Sequence, residues 1–164
     1  MLKGRVFNFG DNISTDHIVP GRLAHLRSNL PELAKHVLED ADPSFATRVK
    51  KGDFIVAGNN FGLGSSREHA PLVIKMAGIS AILVKSAARI FFRNAINLGL
   101  PMLVCDTDKI CDGDKLEVDL DQGIINDLTN GNQLPFKKIP KAMLAILEEG
   151  GLMPYIKKHG EFNL

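Results

Sequence analysis

The sequence lacks several features that would assign it to a specialised class of protein. It has no Trp, one Tyr and two Cys among 164 residues. Its 20 Lys and Arg residues nearly balance its 19 Asp and Glu residues, which gives a net charge of +1. Because nucleic-acid-binding proteins usually carry a basic excess, we expect no nucleic-acid partner.

The sequence also shows no membrane-spanning segment and no secretion signal. No apolar run approaches the roughly 20 residues that a membrane helix needs. The first five residues, MLKGR, reach polar side chains at once, so no signal peptide is expected. Two cysteines without a secretory signal indicate a reducing compartment, and we expect a cytoplasmic protein with no membrane contact.

The two cysteines, Cys105 and Cys111, form no known metal or redox motif. Their spacing is too wide for a Cys-x-x-Cys pair, and no second pair exists for zinc. We therefore expect no metal on this chain. Overall composition is that of a globular protein, with 45% hydrophobic and 24% charged residues. Since one domain takes roughly 100–200 residues, we expect residues 1–164 to form a single domain.

The middle of the chain alternates between short apolar runs and helical patterns. Strands are predicted at residues 53–57, 81–84 and 102–104, with helices at 67–77 and 87–98. A β-α-β-α-β order predicts a parallel sheet with crossover helices.

The flanking segments add elements to this α/β core. A strand is predicted at residues 5–9, a polar loop at 11–20 and an amphipathic helix at 30–39. A small β-meander follows at 115–120, 123–128 and 133–136, and helices close the chain at 141–149 and after Pro154. The predicted fold class is α/β, with strands in two layers against helices.

The most informative segment is a Gly-rich stretch between a predicted strand and a predicted helix, residues 58–69. Its glycines let backbone N–H groups approach a ligand, and a helix N-terminus favours negative charge. Ser65, Ser66 and Arg67 add two hydroxyls and a planar guanidinium that matches carboxylate or phosphate. The segment predicts an anion site. It is not a P-loop, since Gly-Lys-Ser/Thr is missing, and its glycine spacing does not fit a dinucleotide site.

A purely structural role for Ser65 also fits this segment. Ser65 and Glu68 fit the Ser-x-x-Glu capping box, which would need no chemistry. Because helices need N-caps more often than proteins need active sites, the pattern alone favours a cap.

Two further polar positions have similar alternatives. Asp16 and His17 could form an acid–base pair, but adjacent residues rarely face one target, and a turn built on their side chains is the simpler explanation. Arg27 is a lone cation, for which composition alone favours a solvated surface charge.

Three motifs together resemble those of a known family. Residues 64–70 (GSSREHA), 14–18 (STDHI) and 85–94 (KSAARIFFRN) are similar to motifs of the swivelling domain of the aconitase superfamily. The ending GGL at 150–152 is similar to its small-subunit form, found in 3-isopropylmalate dehydratases and homoaconitases. The resemblance covers essentially the whole chain, and it implies a swivelling β/β/α three-layer fold.

The resemblance also implies an activity. Enzymes of this family isomerise a hydroxy-di- or tricarboxylate by removing and re-adding water, which for isopropylmalate is a step of leucine biosynthesis. A 4Fe-4S cluster, held by three cysteines of a large subunit, binds the leaving hydroxyl. With two cysteines, this chain fits the half without the cluster. We expect no cofactor on it, a large-subunit partner and no activity alone.

The resemblance assigns roles to five residues. The catalytic base falls on Ser65, and Asp16 falls where an aspartate pairs with a catalytic histidine of the other half. Ser66 and Arg67 match positions that bind substrate carboxylate, and Arg27 matches the arginine that reads the substrate. A serine is a poor base unless activated, and helix N-terminal amides with a nearby guanidinium would favour its alkoxide.

One departure bears on the substrate. Isopropylmalate-type subunits often carry Tyr-Leu-Arg-Thr around this arginine, whereas residues 25–28 here are HLRS. Homoaconitate or another substituted malate therefore stays open as the substrate. Two other classes stay open as well: an anion-binding module without chemistry, and an assembly subunit in which Ser65 only caps a helix.

Overall fold

A computed structural model describes residues 1–160 of the chain. Within them, seven strands form one mixed sheet in the order β4-β3-β2-β1-β5-β6-β7. Strands β1 to β4 pair in parallel, and β1, β5, β6 and β7 pair antiparallel. The strands are β1 Leu2–Asn8, β2 Phe54–Val56, β3 Ala81–Val84, β4 Met102–Val104, β5 Lys115–Asp119, β6 Ile124–Asp127 and β7 Gln133–Pro135.

The helices are short, and most of them follow the parallel strands or close the chain. Over residues 1–160, none is both long and apolar enough to cross a bilayer. Two 3-10 segments are also present: Gly21–Ser28 lies between α1 and α2, and Thr107–Lys109 lies between β4 and β5. The helices are α1 Thr15–Ile18, α2 Leu30–Ala34, α3 Phe45–Arg48, α4 His69–Met76, α5 Arg89–Asn97, α6 Lys141–Glu148 and α7 Leu152–His159.

The helix predicted over residues 30–39 is wrong in its second half. Helix α2 ends at Ala34, and turns continue to residue 41. Leu38 adopts a left-handed conformation with φ +57°, which an α-helix does not allow. Its N–H donates instead to the carbonyl of Ile18, and its side chain is fully buried. The apolar spacing therefore reports burial rather than a continuous helix.

The sheet curls until its two edges meet. Cys105, just after β4, pairs with Phe136, just after β7, and the N–H of Lys137 donates to the carbonyl of Val104 at 2.9 Å. Alternate residues of the parallel strands enter two separate cores. Ile55 and Ile82 pack with the helices, while Phe54 and Leu83 pack with the meander strands. This arrangement gives two layers of strand and one of helix, as predicted.

The three family-like motifs lie at one end of the parallel strands. The chain leaves β1 into the STDHI segment, β2 into the Gly-rich loop and β3 into the KSAAR segment. Backbone hydrogen bonds join these segments, from Gly58 N to Gly10 O at 2.8 Å and from Phe61 N to Ser86 O at 3.1 Å. Ligands of α/β proteins bind outside the carboxyl ends of parallel strands, which is where this cluster lies.

Candidate active site

The loop that carries Ser65, here called the serine loop and defined as residues 58–68, is fixed by the first motif. The N–H of Gly62 donates to the carbonyl of Ile13 at 2.7 Å, and the N–H of Thr15 donates to the carbonyl of Leu63 at 2.8 Å. Ser14 and Leu63 pair as in a parallel strand. Two segments about 50 positions apart in sequence are therefore joined by their backbones.

The third motif packs against the other side of the serine loop. Gly62 has φ +77°, and a Cβ at this position would lie 2.3 Å from the ring of Phe91 in α5. Only glycine adopts this backbone freely and leaves room for the ring. The Phe91 ring then meets Phe61 edge to face at 5.3 Å. This contact brings the start of α5 beside Ser65.

The capping-box prediction for Ser65 is wrong. Helix α4 begins at His69 with Glu68 at the N-cap, and no side chain caps it. A capping box forms instead on the first motif, where Ser14 Oγ accepts from the N–H of His17 at 3.2 Å. In return, His17 Nδ1 accepts from the N–H of Ser14 at 2.9 Å. His17 therefore stabilises the start of α1, which agrees with the local structural explanation for this segment.

Ser65 is exposed and makes two hydrogen bonds with other described residues. Its carbonyl accepts a hydrogen bond from Thr15 Oγ1 at 3.0 Å, and its Oγ accepts one from Arg67 Nε at 3.2 Å. Of the two activating groups expected, the guanidinium touches the hydroxyl, whereas helix α4 begins four positions later in the chain.

Arg67 also binds Asp16 of the first motif. One of its terminal nitrogens donates to Asp16 Oδ1 at 3.0 Å and to the carbonyl of Val19. The N–H of Gly21 donates to the same carboxylate oxygen at 3.0 Å. The Arg67 hydrogen bond, with help from Gly21, lowers the pKa of Asp16 below its ordinary value. The two residues were predicted to have separate roles, and the structure brings them together.

A cavity of about 350 Å³, here called the serine cavity, opens beside Ser65. Its lining includes two residues to which the sequence assigned no role, Arg89 and Asn94 of α5. Both lie within the KSAARIFFRN motif, so the motif was the available signal, but only the fold shows which of its side chains reach the cavity. The lining comprises chiefly Thr15, Ser65, Ser66, Arg67, Arg89 and Asn94.

A second cavity of about 410 Å³, here called the arginine cavity, lies on the other side of Ser66 and Arg67. Arg27 reaches it from the 3-10 segment, where its Nε donates to the carbonyl of Ala24 at 3.2 Å. His69 lines the same cavity, and burial, followed by the charges of Arg27 and Arg67, lowers its pKa. The two cavities share Ser66 and Arg67, and Asp16 is hydrogen-bonded to Arg67, so the five predicted site residues lie together.

The thiols of the chain lie outside both cavities. Neither Cys105 nor Cys111 is among the lining residues. Burial, followed by the charge of Asp106, raises the pKa of Cys105 to about 12, which leaves it a thiol rather than a metal-binding thiolate at neutral pH. Residues 1–160 contain no group of three or more His, Cys, Asp or Glu side chains placed to hold a metal. The donor set of residues 1–160 therefore does not fit an iron–sulfur cluster.

Known proteins with similar sequences are named as small subunits of isopropylmalate dehydratases or isomerases. The model of the aconitase C-terminal domain family matches residues 9–107. The 3-isopropylmalate dehydratase small subunit 2 of Archaeoglobus fulgidus is 63% identical over 163 residues, 99% of each chain. Small subunit 1 of Thermotoga maritima is 61% identical over 163 residues, 99% of this chain and 98% of its own. The isopropylmalate/citramalate isomerase small subunit of Methanocaldococcus jannaschii is 53% identical, with 96% and 95% covered.

A solved structure confirms the fold. The crystal structure of a 3-isopropylmalate dehydratase from Methanocaldococcus jannaschii superposes with a TM-score of 0.92 at 46% identity, covering 97% of this chain and 95% of that one. The predicted three-layer α/β class and the resemblance to the swivelling domain are thereby confirmed. The chain belongs to the aconitase C-terminal domain family, among the small subunits of the 3-isopropylmalate dehydratases.

Proposed function

We propose that this chain completes the active site of a hydro-lyase that interconverts 2-isopropylmalate and 3-isopropylmalate by dehydration and rehydration, a step of leucine biosynthesis. The observation that carries the proposal is the position of Arg67, which binds both Ser65 and Asp16 where the two cavities meet. The names of relatives at 53–63% identity support the same activity.

In this proposal Ser65 moves the proton of the dehydration step. Its Oγ, as the alkoxide, takes the proton from the carbon of the substrate to become a hydroxyl, and returns that proton on rehydration. A hydroxyl is too weak a base unless its anion is favoured, and the Arg67 guanidinium at 3.2 Å supplies that stabilisation. Asp16 holds Arg67 in place through Oδ1. Asp16 Oδ2 has no hydrogen bond within residues 1–160, so it is open to a histidine of a partner.

The arginine cavity suits a carboxylate beside an alkyl group. Arg27, Arg67 and Ser66 offer donors to a carboxylate, and a guanidinium matches its two oxygens. Apolar Val19, Pro20 and Ala24 line the same space, which favours an isopropyl group over the charged arm of homoaconitate. The departures at residues 25 and 28 do not bear on this space, because neither side chain lines it.

A large subunit supplies what this chain lacks. Ser65, Ser66 and Asp16 are exposed, so a second protein surface can close over them. When bound to that subunit, a 4Fe-4S cluster would act as the Lewis acid for the leaving hydroxyl. The small chain acts as one domain over residues 1–164 in this proposal. A cytoplasmic location fits its two free thiols.

Reconstitution tests the proposal. The chain and its large subunit should be purified separately, mixed anaerobically, and assayed with isopropylmalate, citramalate and homoaconitate. We expect turnover only with both chains and the highest kcat/KM for isopropylmalate. Tight binding of these anions by the small chain alone, with no turnover in the mixture, would instead indicate an anion-binding module.

A further inference from the structure

Thr15 has a buried hydroxyl that contacts the serine loop. The residue is 3% exposed, although it begins the short helix α1 on the surface of the active-site end. Its Oγ1 donates to the carbonyl of Ser65 at 3.0 Å, and its own N–H donates to the carbonyl of Leu63 at 2.8 Å. Thr15 is therefore hydrogen-bonded to the serine loop at two positions, Leu63 and Ser65.

The loop is shaped to accept this hydroxyl. Gly64, between the two anchored carbonyls, has φ +107°, and a Cβ there would lie 3.2 Å from Thr15 Oγ1. A side chain at residue 64 would crowd the hydroxyl as well as strain the backbone. Bare backbone at this position lets Thr15 approach closely enough to donate to Ser65.

Ser65 depends on this contact because it has little other support. It does not cap α4, and its remaining described hydrogen bond is the one from Arg67 to its own Oγ. Without Thr15, the backbone of Ser65 would be held only through its chain neighbours. The position of its Oγ beside the serine cavity would then depend on the long Arg67 side chain.

We propose that Thr15 is a positioning residue that fixes the backbone of Ser65 so that Oγ faces the substrate. The proposal rests on the proposed role of Ser65 as base. Asp16, next in the chain, accepts a hydrogen bond from Arg67 at its carboxylate. The first turn of α1 therefore sets both groups of the acid–base apparatus, Ser65 through its carbonyl and Arg67 through its guanidinium.

A series of substitutions at Thr15 tests this in the reconstituted complex. Thr15→Val keeps the shape of the side chain and removes the donor, Thr15→Ser keeps the donor, and Thr15→Cys offers a weak one. Because small misplacements of a reacting group cost up to about a hundredfold in rate, we expect kcat to fall about ten- to a hundredfold for Val, less for Cys and little for Ser. KM should stay within about twofold, since Thr15 does not hold the carboxylate-binding arginine Arg27.

Thr107→Val is the matched control. Thr107 is 5% exposed, and its hydroxyl also donates to a backbone carbonyl, that of Ala57 at 2.8 Å, but it lines neither cavity. We expect Thr107→Val and Thr15→Val to change the melting temperature alike and only the second to lower kcat. Equal loss of kcat in both would mean a general structural effect and would overturn the proposal.

Ser65→Ala, assayed in parallel, separates this proposal from the one on which it rests. If Ser65→Ala keeps its turnover, the assignment of the base is wrong. If Ser65→Ala loses turnover while Thr15→Val, Thr15→Cys and Thr15→Ser all match the wild type, Ser65 is the base but Thr15 does not position it. Should Thr15→Val fail to fold, the ratio of kcat between the Cys and Ser variants decides, and a ratio near one contradicts the proposal.

Discussion

The guanidinium of Arg67 donates to the carboxylate of Asp16 at 3.0 Å across 51 positions of sequence. The same guanidinium donates to Ser65 Oγ at 3.2 Å. Two motifs that are separate in the sequence therefore form one hydrogen-bonded chain, from Asp16 through Arg67 to Ser65. Arg67 lines both cavities, so a substitution of Asp16 or of Ser65 would change the hydrogen bonds beside the space where a substrate would lie.

Asp16→Asn should lower turnover by at least about tenfold, because the amide is a weaker partner for Arg67 and cannot serve a partner's histidine as a carboxylate does. Stability should change little, since Asp16 is exposed and surface ion pairs contribute little. Steady-state kinetics of the complex and a thermal melt check both points. Asp40→Asn, which breaks the exposed pair with Arg22 at 2.8 Å, is the control and should leave turnover unchanged. If Asp16→Asn turns over as fast as Asp40→Asn, the assignment of Asp16 to the active site is wrong.

Arg27→Lys should raise KM for isopropylmalate more than it lowers kcat. A lysine keeps the charge but cannot reproduce the planar fork that pairs with a carboxylate. Initial rates over a range of substrate concentrations give the two constants. Arg48→Lys, at an exposed arginine paired with Asp42, provides the comparison. An unchanged KM in Arg27→Lys would show that the substrate carboxylate binds elsewhere.

His69 should make the folded chain lose stability in mild acid. Burial, followed by the charges of Arg27 and Arg67, lowers its pKa below 6.5 in the folded state. The unfolded chain therefore binds the proton first, and stability is lost as pH falls below about 6.5 towards the folded pKa. Melting temperatures at pH 7.5 and 5.5 should differ less for His69→Gln than for the wild type. His25→Gln, at an exposed position, should behave as the wild type does. If the melting temperature of His69→Gln falls between pH 7.5 and 5.5 as much as that of the wild type, His69 is not the cause of the loss of stability.

The isolated chain should remain colourless after anaerobic treatment with iron and sulfide. Iron–sulfur clusters need several thiolates, and burial raises the pKa of the Cys105 thiol to about 12. Visible absorption and iron analysis after desalting make the measurement, with the large subunit as positive control. A stoichiometric brown cluster on this chain alone would contradict the assignment of the cluster to the partner.

Local patterns predicted the elements of the sheet well. Residues 81–84 and 102–104 are strands over the predicted ranges, because buried parallel strands consist of uninterrupted apolar runs that are visible in the sequence. The predicted β-meander is also present at β5, β6 and β7. These elements depend on residues that are close together in the chain.

Positions decided by distant contacts could not be predicted from local patterns. Ser65 fits a capping box, but the backbone pairing of Leu63 with the first motif places it four positions before α4. Leu38 fits the apolar spacing of a helix, but its N–H donates to the carbonyl of Ile18, 20 positions earlier. The roles of Ser65 and Asp16 came from a family resemblance, whereas the Arg67 contact that joins them required the fold.

The role of Ser65 as the catalytic base is tested most directly by the turnover of Ser65→Ala in complex with the large subunit. The N-cap of α4 is Glu68 rather than Ser65, so the substitution removes no helix cap and should leave the melting temperature nearly unchanged. The variant should assemble and leave the visible spectrum of the cluster intact. The measurement is steady-state hydration of the alkene that forms when isopropylmalate loses water. We expect its rate to fall by at least about a hundredfold, the lower end for loss of a general base. A rate near that of the wild type would show that Ser65 is not the base.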